Sequence, residues 1–324
     1  MNKKLKPVRW LVIPLVVLLL ITVLAATVLA QAVVPAGDFG DAPESDLNTG
    51  VIAIAYPSTN TPGQFPTCLD VGPVGSFVYH APTGLTFFGP TIDYELDGNA
   101  GGYAGDCGFP PYDLDECCIY SPMPSAGLLF PGPYTIDMSY TVVPCPGCQG
   151  SPLGQTCQWA QWGANVDISV NNTSGPVSYV NVLMDWNQDG MWGGSSVCPD
   201  GSSAPEHVLV NFVVPSGYCG PLSGRTPPSF KIGPNAGYVW TRFTISAVTD
   251  QPLPTEWDGS GFFQQGETED YLLKVNPPSP PQPPVGITVI PMDKAGLLLP
   301  WLGLAGLLVL ATGVVLFARR RLNR

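Results

Sequence analysis

Two long apolar blocks bracket a chain whose middle switches between apolar and polar every few residues. The first block runs uncharged from Trp10 to Ala30, behind Lys3, Lys4, Lys6 and Arg9. Small residues at Ala30 and Ala32 complete the pattern of an export signal. Residues 1–32 are therefore expected to be a signal peptide cleaved after Ala32, or an N-terminal anchor if the apolar run is kept. The second block, Ala295 to Ala318, holds 24 residues without a charge, and Arg319, Arg320, Arg321 and Arg324 follow it. A helix rising about 1.5 Å per residue crosses a hydrocarbon core of about 30 Å within that length. Arginines beside a spanning helix stay in the cytoplasm, which predicts a single-pass protein of the cell membrane. Residues 295–318 then lie in the bilayer, 319–324 inside the cell and the large domain outside.

Between the blocks, short β-branched and aromatic runs alternate with clusters of Gly, Pro, Asn and Asp. Strands are predicted at 165–170, 179–186, 207–214, 239–246 and 271–275. Looser ones are predicted at 51–55, 76–79 and 134–143. No amphipathic helix of useful length interrupts them, so the pattern is that of an all-β sandwich or barrel. A soft boundary near residue 160 separates a Cys-rich, loop-rich segment (33–160) from a strand-rich one (161–275), although one continuous domain fits the same pattern. Residues 276–294 carry Asn276-Pro-Pro-Ser-Pro-Pro-Gln-Pro-Pro284. Each Pro fixes φ and removes a donor, so this tract is expected to be a stiff polyproline stalk.

Charge sharpens the picture. All 25 acidic residues fall between Asp38 and Asp293, whereas residues 33–294 hold five of the 13 basic ones, giving 5 − 25 = −20 for the exported part. That balance excludes nucleic acid and anionic lipid as partners, since both recruit Lys and Arg. It fits either cation binding or plain solubility. Nine Cys lie in the same stretch, and outside the cell they are expected to form disulfides. Cys198 with Cys219 is the pair expected in the later segment. The other seven have no connectivity readable from spacing, and an odd total leaves one thiol free or bound to another molecule. Cys145-Pro-Gly-Cys148 has the spacing of redox and zinc sites. No second such pair and no nearby His accompany it, which favours a structural disulfide.

Several motifs follow one another in a recognisable order. Asp38-Phe-Gly-Asp-Ala-Pro-Glu44 opens the exported part. His80, Gly89-Pro-Thr-Ile-Asp-Tyr-Glu-Leu-Asp-Gly98, Ala104-Gly-Asp106 and Asp113-Leu-Asp-Glu116 follow. Met184-Asp-Trp-Asn-Gln-Asp-Gly190, Arg242-Phe-Thr-Ile-Ser246 and Gly266-Glu-Thr-Glu-Asp-Tyr271 complete the series. From Asp38 to Val275 this resembles the GEVED domain of secreted bacterial surface proteins, with Thr268 for Val in the signature and Cys117-Cys118 replacing its usual Asp-Gly-Val turn. The resemblance implies an extracellular β-sandwich. The expected fold is therefore all-β: an immunoglobulin-like β-sandwich ectodomain with Cys-, Gly- and Pro-rich loops, an N-terminal signal segment and one C-terminal transmembrane helix.

Two clusters carry candidate chemistry. Asp185, Asn187 and Asp189, with the carbonyl of Met191, match the first half of a calcium loop. Oxygens at positions 1, 3 and 5 can converge on a hard cation, and Gly190 permits the sharp turn. Position 12 is Ser196 rather than a bidentate Glu, and a tight Asx turn explains the same residues. Glu267 and Glu269 alternate onto one face of a strand and Asp270 onto the other. An ion pair from Arg242 to Glu267 or Glu269 is expected to lock that strand, with a cation as the alternative. Asp93, Glu95 and Asp97 alternate in the same way. His80 and His207, the chain's two His, are expected to pack or cap, His80 being the one that could also serve as a ligand. Enzyme motifs for acyl transfer, zinc hydrolysis or phosphate binding are missing from the sequence.

The expected function is a non-catalytic surface binding or structural module, stabilised by disulfides, with Ca²⁺ as a candidate second stabiliser. Its partner would be an extracellular protein or a glycan, touched through Gln158-Trp-Ala-Gln-Trp162 or Trp257. A hydrolase using paired carboxylates and a calcium-dependent adhesin are the alternatives.

Overall fold

The structure, a computed structural model, describes residues 36–45, 52–69, 72–92, 94–98, 127–247, 252–280 and 294–322. The expected export signal (1–32), Asp93, the acidic segment at 99–126 and residues 281–293 of the expected stalk lie outside the described residues. The chain divides into two compact units, Met1–Pro278 and Ser279–Arg324.

Among the described residues of the first unit, the regular structure is almost wholly β-strand. Its principal strands are β1 (Thr86–Phe88), β2 (Leu128–Phe130), β3 (Tyr134–Ile136), β4 (Val142–Pro144), β5 (Pro152–Gln155), β6 (Asp167–Asn172), β7 (Ser178–Met184), β8 (His207–Val214), β9 (Cys219–Pro221), β10 (Gly237–Ala247) and β11 (Gly266–Asn276). A seven-stranded sheet runs β8-β7-β10-β11-β3-β4, with β5 added in parallel to β11. A four-stranded sheet runs β9-β6-β1, with β2 also on β6. Strands from both sides of residue 160 pair in both sheets, so the loop-rich and strand-rich segments fold as one body.

The alternating pattern decides what each face does. On β10, Val239, Phe243 and Ile245 point with Tyr271 and Leu273 of β11 into a cluster shared with Phe88, Ile168 and Val170 of the smaller sheet. That apolar layer holds the two sheets together, chiefly through the water released from its side chains. The opposite face of the large sheet is covered too. Leu183, Trp240 and Leu272 meet Ala42, Tyr56, Phe65, Trp257 and Phe263, which come from the N-terminal segment and the 253–263 stretch. Burial on both faces suits the mostly apolar sequence of β7.

The expected strand at 134–143 is instead a hairpin. The Asp137 carboxylate accepts the N–H groups of Ser139 (2.8 Å) and Thr141 (2.9 Å), and Tyr140 adopts φ 55°. This Asx-type turn reverses the chain between β3 and β4.

In the second unit, α1 (Lys294–Leu322) is a helix long and apolar enough, over Leu298–Arg321, to cross a membrane. Arg319, Arg320 and Arg321 occupy its last turn, where cations also meet the negative end of the helix dipole.

Candidate functional site

Arg242 of β10 is fully buried. Its guanidinium makes a two-pronged ion pair with Asp270 of β11, Nε to Oδ1 at 2.9 Å and Nη2 to Oδ2 at 2.6 Å. Nη1 donates to the carbonyls of Pro66 (3.0 Å) and Gly259 (2.8 Å), and Nη2 also donates to Thr67 Oγ1 (2.9 Å). The cation lies 5.6 Å from the Trp192 ring centroid. A buried charge is tolerable only when its donors are met in this way.

The N-terminal motif closes over this pair. Asp270 Oδ2 accepts the backbone N–H groups of Asp41 (3.0 Å) and Ala42 (2.9 Å). Asp38 returns the contact, its Oδ2 accepting the N–H of Thr268 at 2.6 Å. Glu44 Oε2 accepts from the N–H groups of Thr67 (2.5 Å) and Cys68 (2.7 Å). The Gly positions follow from closeness. A Cβ on Gly40 would sit 2.5 Å from both Arg242 Nη2 and Asp270 Oδ2. One on Gly266 (φ +129°) would overlap the Ile245 carbonyl and approach His80 Nδ1 to 2.7 Å. His80 is itself enclosed, its Nε2 2.9 Å from Thr268 Oγ1 and its ring stacked 4.7 Å from Phe263. Burial pushes its pKa down to about 3, so it is a neutral packing residue at physiological pH. Thus the opening and closing motifs of the chain, more than 220 residues apart in sequence, meet as one clasp.

The ion-pair expectation needs a correction. Arg242 pairs with Asp270, and neither Glu267 nor Glu269 is its partner. In the antiparallel register Arg242 stands opposite Asp270, Phe243 opposite Glu269 and Ile245 opposite Glu267. Directly opposed residues share a face, so the two glutamates lie on the side that faces the smaller sheet. Glu267 Oε2 there accepts the backbone N–H of Phe88, linking the two sheets.

The 185–191 loop, at the end of β7, is a second site. Asp185 Oδ1 accepts from the N–H groups of Gln188 (2.7 Å) and Asp189 (3.3 Å). Its Oδ2 accepts from Gly190 N–H (2.9 Å) and Tyr56 O–H (2.8 Å). Asn187 Oδ1 accepts from Asp189 N–H (2.8 Å), and Asp189 Oδ1 from Met191 N–H (3.0 Å). Gln188 (φ 60°) and Gly190 (φ 84°) supply the left-handed bends, and a Cβ on Gly190 would strike the Pro62 carbonyl. Glu206, which the motif did not include, closes the loop from below, accepting from Asn187 N–H (3.4 Å) and Gly193 N–H (2.9 Å). Burial lifts Asp185 to about 6 and Glu206 to about 8; the Asp189 charge raises both further, and the Asp185 charge adds to the rise at Glu206. Both oxygens of Asp185 are turned to N–H and O–H donors. Among the described residues no three His, Cys, Asp or Glu side chains converge as a metal cage. The bonds are those of successive Asx turns.

No family model matches the chain, and comparison with curated proteins gives no match.

The remaining expected sites fall as follows. Cys198 is bonded to Cys157, with Cα atoms 5.7 Å apart, and Cys219 is a free, exposed thiol. This corrects the expected Cys198–Cys219 pair. Cys157 N–H and Cys198 Sγ both reach the Ile232 carbonyl, whereas Cys219 stands opposite Asn171 on edge strand β9. Nearness in sequence was the wrong guide. Cys145 and Cys148 are both disulfide-bonded. His207 bridges Asn181 Oδ1 (3.0 Å) and the Thr255 carbonyl (3.1 Å), and its burial lowers its pKa. Of the aromatic residues offered for ligand contact, Trp162 and Trp257 are buried and Trp159 is exposed.

Proposed function

We propose that this chain is a single-pass membrane protein whose β-rich body is a non-catalytic binding or structural module of the GEVED type, held outside the cell. The observation that carries the reading is the clasp. The motif carboxylates Asp38, Glu44 and Asp270 all accept backbone N–H groups, and Asp270 also binds the one buried Arg. That is the work of a scaffold rather than of groups meeting a substrate. Glu44, Asp185 and Glu206, whose acidities are weakened by burial, are each sealed from solvent, which further supports structural use. An immunoglobulin-like arrangement of the two sheets accords with the shared apolar layer between them. Helix α1 with its terminal Arg cluster supports anchoring with the C-terminus inside.

Cys219 provides the test. A membrane-impermeant maleimide applied to intact cells, after mild reduction to release any mixed disulfide, is expected to label the wild type and to lose a site in Cys219→Ser. Labelling of Cys219 only after permeabilisation would place the body inside and overturn the reading.

A further inference from the structure

We propose that Trp159 is a stacking platform for neutral, β-linked pyranose sugars, which gives the surface-binding reading above its ligand class and rests on that reading. Five indoles of the β-body, at Trp162, Trp186, Trp192, Trp240 and Trp257, are buried. Trp159 is 63% exposed, the most open aromatic side chain described outside α1. Its exposure is not looseness. The two-residue strand Trp159–Ala160 pairs with Phe230–Lys231, turning Ala160 inward and the indole outward. Two residues earlier, Cys157 ties the same segment to Cys198, and its N–H is shared by the carbonyls of Ile232 and Gly233, both at 3.2 Å. Lys231 Nζ sits 5.7 Å from the ring centroid and is itself fixed by Asp200 at 3.2 Å. The ammonium thus orients the ring without enclosing it, and an indole that keeps this much surface has a broad apolar face to offer.

The surroundings choose the ligand. Asp200, held ionised by bonds from Ser202 and Lys231 that push its pKa down to about 2, is an exposed acceptor bound to the same ammonium that lies over the ring. Gln158 and Gln161 are exposed on the same segment, with Gln158 Nε2 bound to Gln155 Oε1 at 3.0 Å. A rigid aromatic plate next to an ion pair, with exposed amide side chains on the same segment, suits a molecule that has apolar C–H faces and a rim of hydroxyls. Pyranose rings with equatorial substituents have that form. Polyanions are disfavoured by the exported charge of 5 − 25 = −20.

The test uses the full chain in a zwitterionic detergent without a sugar headgroup. Saturation-transfer NMR and titration calorimetry are run with cellotetraose and with chitotetraose. The wild type is expected to bind at least one of them, the two arms separating glucose from N-acetylglucosamine preference. Trp159→Ala should weaken binding by about tenfold or more, while Trp159→Tyr, which keeps a ring, stays within a few-fold. The melting temperature of each variant serves as the folding control. Absence of saturation transfer from the wild type to both sugars, or unchanged binding by a folded Trp159→Ala, overturns the proposal. Maleimide labelling of Cys219 reads anchoring separately. A chain labelled outside but silent to sugar loses this inference alone, and one labelled only after permeabilisation loses the surface reading itself.

Discussion

The two faces of the seven-stranded sheet are both buried, but by opposite means. One face joins the smaller sheet through Val239, Phe243, Ile245 and Leu273, side chains that need only to exclude water. The other accepts the N-terminal segment through Arg242, Asp270, Asp38 and Glu44, whose charges and hydrogen bonds must all be met at once. Apolar packing is forgiving of detail, since its energy follows area. A polar closure is not, because a half-satisfied buried network costs more than no network. The difference accords with the meeting of the 38–44 motif, Arg242 and Asp270 on one face.

The largest break in that comparison is expected from Asp270→Ala. It strands the Arg242 charge and frees the N–H groups of Asp41 and Ala42, at a cost of about 3–5 kcal/mol, measurable by chemical denaturation. Adding Arg242→Met should recover part of the loss, which a double-mutant cycle would register as strong coupling. On the apolar side, removing the Cys157–Cys198 bridge by double Ser substitution should cost about 2–4 kcal/mol through the freed loop. It should leave the clasp formed, readable from unchanged amide protection at residues 38–45.

Asp185→Ala ranks next, at about 1–3 kcal/mol, since it leaves several buried donors unmet. Calcium should not alter the melting temperature of the wild type. A calcium-dependent rise that vanishes in Asp185→Ala would restore the cation reading of the loop.

The smallest effect tests the sign of a buried charge. Burial raises Glu44 to about 8 from an ordinary 4.5, against the backbone N–H groups of Cys68 and Thr67 and the Arg242 charge that favour its ionised form. The folded state therefore holds its proton more tightly than the unfolded state. The stability tied to this group is fully present below about 4.5 and declines as pH rises toward 8. Glu44→Gln keeps an acceptor for both N–H groups and removes the charge. Its melting temperature should match the wild type at pH 4.5 and exceed it at pH 8.5.

Much of the fold was legible from alternation. The run at 207–214 is β8, and 239–246 lies within β10. The motif order also pointed to residues that prove to be in contact. The register was not legible. Whether Arg242 faces Asp270 or Glu269 depends on a one-residue offset between β10 and β11, and a pattern of period two cannot fix it without the partner strand. Glu206 was missed because its role comes from lying under the 185–191 loop, with no local motif to announce it. The disulfide was misassigned for a related reason: Cys157 and Cys198 meet at Ile232, a residue distant in sequence from both.

The central claim is that Asp270 holds the N-terminal segment onto the sheet. Hydrogen exchange of residues 38–45 in the full chain, compared with β10 and β11, tests it most directly. The amides of Asp41 and Ala42 should be protected nearly as well as those of β11 in the wild type, and should exchange far faster in Asp270→Asn, where β11 itself stays protected. Fast exchange of both amides already in the wild type, or protection unchanged by the substitution, would contradict the clasp.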